Sequence, residues 1–381
     1  MIDSVAEARQ KLKTLAGARS SGGLLLSVIV STSRLDDWRQ SVPVFLRSEF
    51  QRVLTERSLL KDERRSLQAD LEHVVDLLKY DVTSQTQGLA VYADGAASLH
   101  ERIELPLRLA NRLTVEPLPY IRPVAQALCL LEPFVLARVS RDESSLFVVD
   151  EWGIASEDDL PGPWLRSSDR ETGELSIKEY YAAARQDTLV GLHFKEVAGS
   201  LARLLELSGA RRAVLCAQHD IASAFRRTLS ASVAGAVVAE IPIDAAASVG
   251  QMVVSARQAV ERARQQQMVT LAERIKEGLN PGGHGISGFD DVLGALRGGQ
   301  LQVLLADADY APSGWLCTQC TWASLTLVEH CQVCGGSVQP AGDVMNRLVC
   351  LAVVESCDIE VGEDISRLDE LGGVAGLLRY A

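Results

Sequence analysis

Cys317, Cys320, Cys331 and Cys334 stand in the pattern C-x2-C-x10-C-x2-C. A Cys-x-x-Cys turn brings two thiolates to one side of a tight bend, and two such turns complete a tetrahedron of sulfur, a donor set that suits zinc. Gly335 and Gly336 supply the backbone freedom that the second turn needs. Zinc is therefore the expected cofactor, the alternatives being a redox pair or a scaffold that has lost its ion. Four thiolates already fill a structural site, so His330 is not expected to be a ligand. A closed shell also leaves no position for a reacting water. The insert, residues 312–338, is expected to be structural or to recognise a partner.

Other residues with chemical potential are basic. Arg57, Lys61, Arg64 and Arg65 recur at i, i+4, i+7 and i+8, which puts them on one helical face. Such a face can contact RNA phosphates without reading sequence; the alternative is a solvated surface. Arg166 and Arg170, in the polar stretch 157–173, are further candidates for RNA contact. His193, His219 and His284 show no ligand-like or triad-like spacing, and His193 is read as a packing or capping residue at the start of a helix. The sequence "NPGGHGISG" lacks the Lys-Ser/Thr of a phosphate loop and reads as a linker. Gly298, Gly299 and Gln300 follow "FDDVLGALR", whose Phe289, Val292, Leu293 and Leu296 recur at helical spacing, and precede the strand-length run "LQVLLA". The two glycines are therefore expected to cap a helix.

The elements that must position these residues alternate between helix and strand. At 381 residues and 47% hydrophobic content, the chain has material for two or three cores. The fold class is α/β, in three domains: residues 1–130, 131–275 and 276–381. The first is read as helix, the strand "LLLSVIV", a long helix from about 42 to 78 whose length leaves room for a break, the strand "GLAVYA", "IELPL" and the proline-punctuated "VEPLPYIRP". The second opens with a hairpin, "FVLARVS" and "LFVVDEWG", followed by a loop over 157–173 and then by helices alternating with "RAVLCA" and "AVVAEIPI". The third alternates again around the cysteine insert.

A net charge of −12 argues against a nucleic-acid-binding coat but leaves room for a local basic face. Cys129, Cys216, Cys350 and Cys357 are scattered among apolar neighbours and suit a reducing compartment. No apolar run reaches the length of a membrane span, and "MIDSVAEARQKLK" is neither a secretory signal nor an acid-poor transit peptide, so a cytoplasmic protein is expected, with neither membrane nor DNA as partner.

The order of segments resembles the archaeal-eukaryotic class 1 peptide-release-factor and Pelota family, in its bacterial branch. The residues that carry the resemblance are "LSVIVS" and "GLAVYADG" early in the chain, "HFKEVAGSLARLL" after the polar stretch, and the terminal "GGVAGLLRY". Archaeal members also carry a zinc-binding insert where Cys317 to Cys334 fall. Locally, Trp315, the cysteines and Thr321 resemble a Ran-binding-protein type of zinc finger, with Ser324 where that finger usually has Asn. The resemblance implies a codon-facing first domain, a central domain of ribonuclease-H-like topology and a third domain like kink-turn-binding ribosomal proteins. It further implies binding to rRNA in the ribosomal A site, with an elongation-factor-Tu-like GTPase as partner.

Two departures alter what the resemblance implies. The family's stop-codon motif would fall near "TERS", residues 55–58, where only Ser58 agrees, and the companion motif has no match in "EPLPYIRPVAQAL". The hydrolytic Gly-Gly-Gln should precede His193, yet residues 161–186 hold neither paired glycines nor a loop glutamine. Glycines let backbone approach RNA, and the glutamine positions a donor or water at the ester; Arg170, Glu171 and Glu174 offer no equivalent. No catalytic residue is assigned. The expected function is A-site occupancy without stop-codon reading, in hibernation or rescue. The alternatives are a peptidyl-tRNA hydrolase or RNA-cleaving quality-control factor using a noncanonical loop, and a zinc-finger interaction protein that has left the ribosome.

Overall fold

The computed structural model describes residues 4–18, 24–33, 37–57, 59–80, 82–83, 85–95, 97–162, 177–242, 248–362, 365 and 368–380, with the side chains of 177–187 outside that description. The elements in chain order begin with α1 (Val5–Gly17), β1 (Leu25–Ser31), α2 (Trp38–Glu56), α3 (Lys61–Tyr80), β2 (Gly88–Asp94), β3 (Leu99–Leu105), β4 (Arg112–Glu116) and α4 (Arg122–Leu130). Next come β5 (Phe134–Val139), β6 (Glu143–Asp150), β7 (Gly153–Pro161), α5 (Ile177–Ser208), β8 (Arg212–Cys216), α6 (His219–Arg226), α7 (Ala231–Ala236), β9 (Val237–Ile241) and α8 (Val249–Glu277). The chain ends with β10 (Gly285–Ser287), α9 (Phe289–Arg297), β11 (Leu301–Asp307), β12 (Gly314–Cys317), β13 (Ala323–Ser324), β14 (Val338–Ala341), α10 (Met345–Val354), β15 (Asp358–Gly362), a 3-10 turn (Asp369–Leu371) and β16 (Val374–Leu378).

The chain divides into two compact units, one made of residues 1–130 with 268–381 and the other of residues 131–267. In the first unit, β3-β2-β1-β4 form an antiparallel sheet with Val28 opposite Val91 on β2 and Leu113 on β4. The largely apolar character of "LLLSVIV", broken only by the buried Ser27, follows from burial on both faces, as β1 is buried along nearly all its length and β2 throughout. One face packs Val28, Val30, Leu89 and Val91 against Leu46, Phe50, Leu71 and Val74 of α2 and α3. The same unit holds the sheet β10-β16-β11-β15 and the small sheet β13-β12-β14 of the cysteine insert.

The chain enters α4 through a buried polar junction. Pro123 occupies the first turn of α4, where its missing N–H costs nothing. The N–H groups of Ile121 and Arg122 donate to Asn346 Oδ1 at 2.9 and 3.1 Å, and Asn346 Nδ2 donates to the Pro119 carbonyl at 2.9 Å. A side chain from α10 thus satisfies donors that this helix start leaves open. Asp343 accepts from Arg122 Nη1 and the Tyr120 hydroxyl, both at 2.8 Å, and from the Met345 N–H at 3.0 Å. Arg122 Nη2 reaches the carbonyls of Asp307 and Ala308 at the end of β11.

The second unit is built on the sheet β7-β6-β5-β8-β9, in which β5, β6 and β7 are antiparallel and β5, β8 and β9 parallel. That order and those directions are the ribonuclease-H-like topology that the resemblance implied. Phe194, Val197 and Leu201 of α5 pack with Val135, Leu146 and Phe225 on one side. Met252, Val253 and Ala256 of α8 pack with Phe134, Phe147 and Cys216 in a second cluster.

The elements differ from the sequence reading in four places. The long helix is two, because the chain leaves helical geometry at Arg57 (φ −112°, ψ 133°). "YIRPVAQAL" is largely helical, with Pro123 opening α4 rather than marking a loop. The first residues of the assumed loop 157–173 belong to β7, an acidic edge strand with only intermittent burial. His193 lies well inside α5, which begins at Ile177, and does not start a helix.

The Arg122–Asp343 pair is almost fully buried, with side chains 3% and 1% exposed. Asp343→Ala should lower stability to urea by about 3–5 kcal/mol, since it strands a buried guanidinium, whereas the double variant Arg122→Met with Asp343→Leu should recover much of that loss. Denaturation curves of both proteins measure the difference.

Candidate functional site

The cysteine insert is placed by β12 and β14, which run antiparallel with Gly314 opposite Ala341 and Cys317 opposite Val338. Gly314 is required there, because a Cβ would fall 2.3 Å from the Ser324 carbonyl oxygen. The first Cys-x-x-Cys turn leaves the end of β12, and the second is closed by the Gly335 N–H donating to the Cys331 carbonyl at 2.9 Å, with Gly335 at φ +72°. The four sulfurs all lie within 4.8 Å of one another, with Cys317 and Cys334 at 3.4 Å and Cys320 and Cys331 at 3.5 Å. Sulfurs bound at about 2.3 Å around a tetrahedral ion stand about 3.8 Å apart, so the four can hold one metal ion. The N–H groups of Gln319 and Cys320 point at Cys317 Sγ at 3.3 Å, and that of Val333 at Cys331 Sγ at 3.4 Å. Burial opposes ionisation of Cys331, but the N–H groups of Cys334 and Val333 and the neighbouring thiols outweigh it and bring its pKa down to about 7. At Cys331 this favours the thiolate, the form that ligates, while its partner in the turn, Cys334, is shifted the other way. None of the scattered cysteines is in a disulfide; Cys216 and Cys350 are buried and Cys129 and Cys357 partly so.

The basic residues do not share one helix. Lys61, Arg64 and Arg65 lie exposed on the first turns of α3, while Arg57 lies beyond the end of α2 and is partly buried. The start of α3 is fixed by Glu63, whose carboxylate accepts from the Leu60 N–H at 2.8 Å. Among the described residues, Lys61, Arg64 and Arg65 form no ion pair, whereas Arg52 is held by Glu49 at 2.7 Å and Glu56 at 3.0 Å. Arg166 and Arg170 lie outside the described residues, as do Glu171 and Glu174.

Gly298 and Gly299 cap α9 as the sequence implied. The Gly298 N–H donates to Gly294 and the Gln300 N–H to Ala295, Gly299 adopts φ +65°, and β11 begins at the next residue, Leu301. Gln300 is therefore held in a tight turn between a helix and a strand whose partner β16 belongs to the same core. His193 is buried and its Nε2 lies 3.0 Å from the Ser144 hydroxyl, itself 1% exposed. A buried serine has no access to an ester, so the pair ties α5 to β6.

Sequence reasoning missed a cavity of about 560 Å³ lined by Phe45, Arg57, Arg112, Thr114 and Glu116. Burial raises the Glu116 pKa, opposed by the Gly342 N–H and by the charges of Arg57 and Arg112. The signal available was an acid closing the strand-like "LTVE" before a proline.

Residues 119–268 match the family model described as bacterial archaeo-eukaryotic release factor family 10. This segment is similar to the archaeo-eukaryotic release-factor class. It runs from the junction residue Pro119 through the whole sheet β7-β6-β5-β8-β9, so the matched part includes the ribonuclease-H-like core. Solved structures with likeness to the chain include the archaeal translation termination factor aRF1, at 16% identity over 100% of this chain and 99% of that one, with a TM-score of 0.27. A ribosome-bound archaeal Pelota, from a model with ABCE1, is 12% identical over 100% and 95% with a TM-score of 0.38. Dom34 of S. cerevisiae, a translation termination-like factor of RNA quality control that interacts with Hbs1, is 10% identical over 81% and 76% with a TM-score of 0.40. Overlaps at this level establish no relationship of function. No curated protein matches the chain. Among the described residues, no helix is long and apolar enough to cross a membrane.

Cys317→Ser should abolish retention of a stoichiometric metal ion, measured by elemental analysis, and lower the melting temperature as chelation of the parent protein does. At the α9 turn a Cβ on Gly299 meets nothing closer than Glu355 Oε2 at 3.5 Å. Gly299→Ala should therefore cost only its backbone strain, about 1–2 kcal/mol in a denaturation experiment.

Proposed function

We propose that this chain is a cytoplasmic translation factor that occupies the ribosomal A site without reading stop codons and without cleaving peptidyl-tRNA, serving ribosome hibernation or rescue. The reading rests on one observation: a chain whose central segment is similar to the release-factor class carries its sole Gly-Gly-Gln in the α9–β11 turn, and none in the stretch 161–186 where that class would use it. Held by backbone hydrogen bonds on both sides, Gln300 has no reach toward a distant ester. The domain plan and the missing motifs resemble the hibernation factor Balon.

Zinc is the ion proposed for Cys317, Cys320, Cys331 and Cys334, on the strength of four sulfur donors at tetrahedral separations. Its contribution is to fold the insert. Lys61, Arg64 and Arg65, exposed and without carboxylate partners among the described residues, are proposed to contact rRNA phosphates, with Arg57 beside them; Arg166 and Arg170 are proposed contacts of the central segment. An elongation-factor-Tu-like GTPase is the proposed partner for delivery.

Purified protein mixed with ribosomes bearing peptidyl-tRNA tests the reading by co-sedimentation and by ester release. Co-sedimentation with the ester intact is the expected result, unchanged by Gln300→Ala. Release that is lost on replacing Arg170 and Glu171 would establish a hydrolase instead, and absence from the pellet would establish a protein that acts elsewhere. Charge reversal at Arg64 and Arg65 should weaken sedimentation and flatten the plot of log Kd against log salt by about one to two units.

A further inference from the structure

Strand β7 forms one outer edge of the five-stranded sheet, and among the described residues it pairs with β6 alone. It is nine residues long and fixed at both ends. At its start the Asp150 carboxylate accepts from the N–H groups of Trp152 and Gly153 at 2.8 and 3.1 Å, Gly153 takes φ +126°, and Arg257 of α8 donates to the Asp150 carbonyl. At its end the Gly162 N–H donates to the Asp142 carbonyl at 2.9 Å, where a Cβ would fall 2.0 Å from that oxygen. Between these clamps alternate residues turn N–H and C=O away from β6, so the edge offers a pre-formed row of donors and acceptors to a further strand.

The side chains on this edge decide which strand can join it. Glu157 and Asp159, opposite Phe147 and Ser145 of β6, lie on one face, are exposed and form no ion pair among the described residues. Asp158, on the other face, meets Arg203 of α5 at 3.4 Å. Like charges set opposite one another destabilise a sheet, so a second copy of β7 is a poor partner, and the same acids repel RNA and anionic lipid headgroups. Acids on an edge also serve to keep it closed. An edge with that purpose alone would not open on Trp152 and Ile154, which are 47% and 43% exposed. Two exposed apolar residues at one end and unpaired acids along the rest suit an extended protein segment with an apolar anchor and a cation at every second position.

We propose, independently of ribosome binding, that β7 is a docking edge for a basic, extended segment of a partner protein, which adds a strand to the sheet, sets its cations beside Glu157 and Asp159 and rests an apolar residue on Trp152 and Ile154. The full-length protein is titrated with a labelled peptide of alternating valine and lysine, about eight residues long, and binding is read by fluorescence anisotropy. Two further peptides carry N-methyl groups, one on the valine amides and the other on the lysine amides. With the lysines facing the acids, only one of these sets points at β7, and methylation there removes hydrogen bonds without changing charge. One methylated peptide should therefore bind more weakly by about tenfold or more, and the other close to the parent. The double variant Glu157→Lys with Asp159→Lys, checked for an unchanged melting curve, should also lose about tenfold in affinity for the parent peptide. Absence of binding, equal affinity for the two methylated peptides, or unchanged affinity in the double variant overturns the proposal. Self-association of the protein alone that disappears in the double variant would make a second copy the occupant and overturns it as well. Should the double variant fail to fold, the two methylated peptides decide the matter on the parent protein.

Discussion

Two buried side chains of opposite charge, Arg122 and Asp343, hold together parts of the chain separated by more than two hundred residues. Taking both from water is expensive, and further hydrogen bonds to each help their attraction to compensate. Asp343 accepts from a guanidinium, a phenol and a backbone N–H, and Asn346 beside it satisfies the opening of α4. The sheet of β1 to β4 and the sheet of β10, β11, β15 and β16 therefore belong to one body, although their strands come from opposite ends of the chain. The central segment leaves this body after Leu130 and returns to it at Met268, which makes it an insertion into a discontinuous unit.

This arrangement explains the limits of what could be read from residues alone. The doubly buried strand β1, the hairpin of β5 and β6, the α9 cap and the cysteine knuckles were legible, because each is encoded by contiguous periodicity or spacing. Residues 121–130 were not read as a helix, since proline there suggested a loop and the group that caps the start, Asn346, lies far along the chain. β7 was hidden because an acidic edge strand has no alternating apolar signature. Arg57 was assigned to the face of Lys61, Arg64 and Arg65 by a helical spacing that holds only within an unbroken helix, and the break between α2 and α3 removes it. Residues 1–130 and 268–381 share one unit, to which the Arg122–Asp343 pair contributes, and such a long-range interaction leaves no local trace.

The candidate site is shaped by the same constraint. Gly342, the residue before Asp343, donates to Glu116, so the polar junction that unites the first unit also closes one side of the cavity. The cysteine insert is anchored at its base by the same short segment, through β14. A single stretch, residues 338–347, thus links the cysteine cluster, the cavity and the junction. The basic turns of α3 remain outside it, exposed and without carboxylate partners among the described residues, as suits a surface that meets a polyanion.

The account's central claim is occupancy without cleavage, and electron cryomicroscopy of the protein bound to ribosomes carrying peptidyl-tRNA tests it most directly. It predicts density for the chain in the A site, the first turns of α3 against rRNA, and an intact nascent chain on the neighbouring tRNA. Density elsewhere on the ribosome, or an A-site complex whose tRNA has lost its peptide, would contradict it.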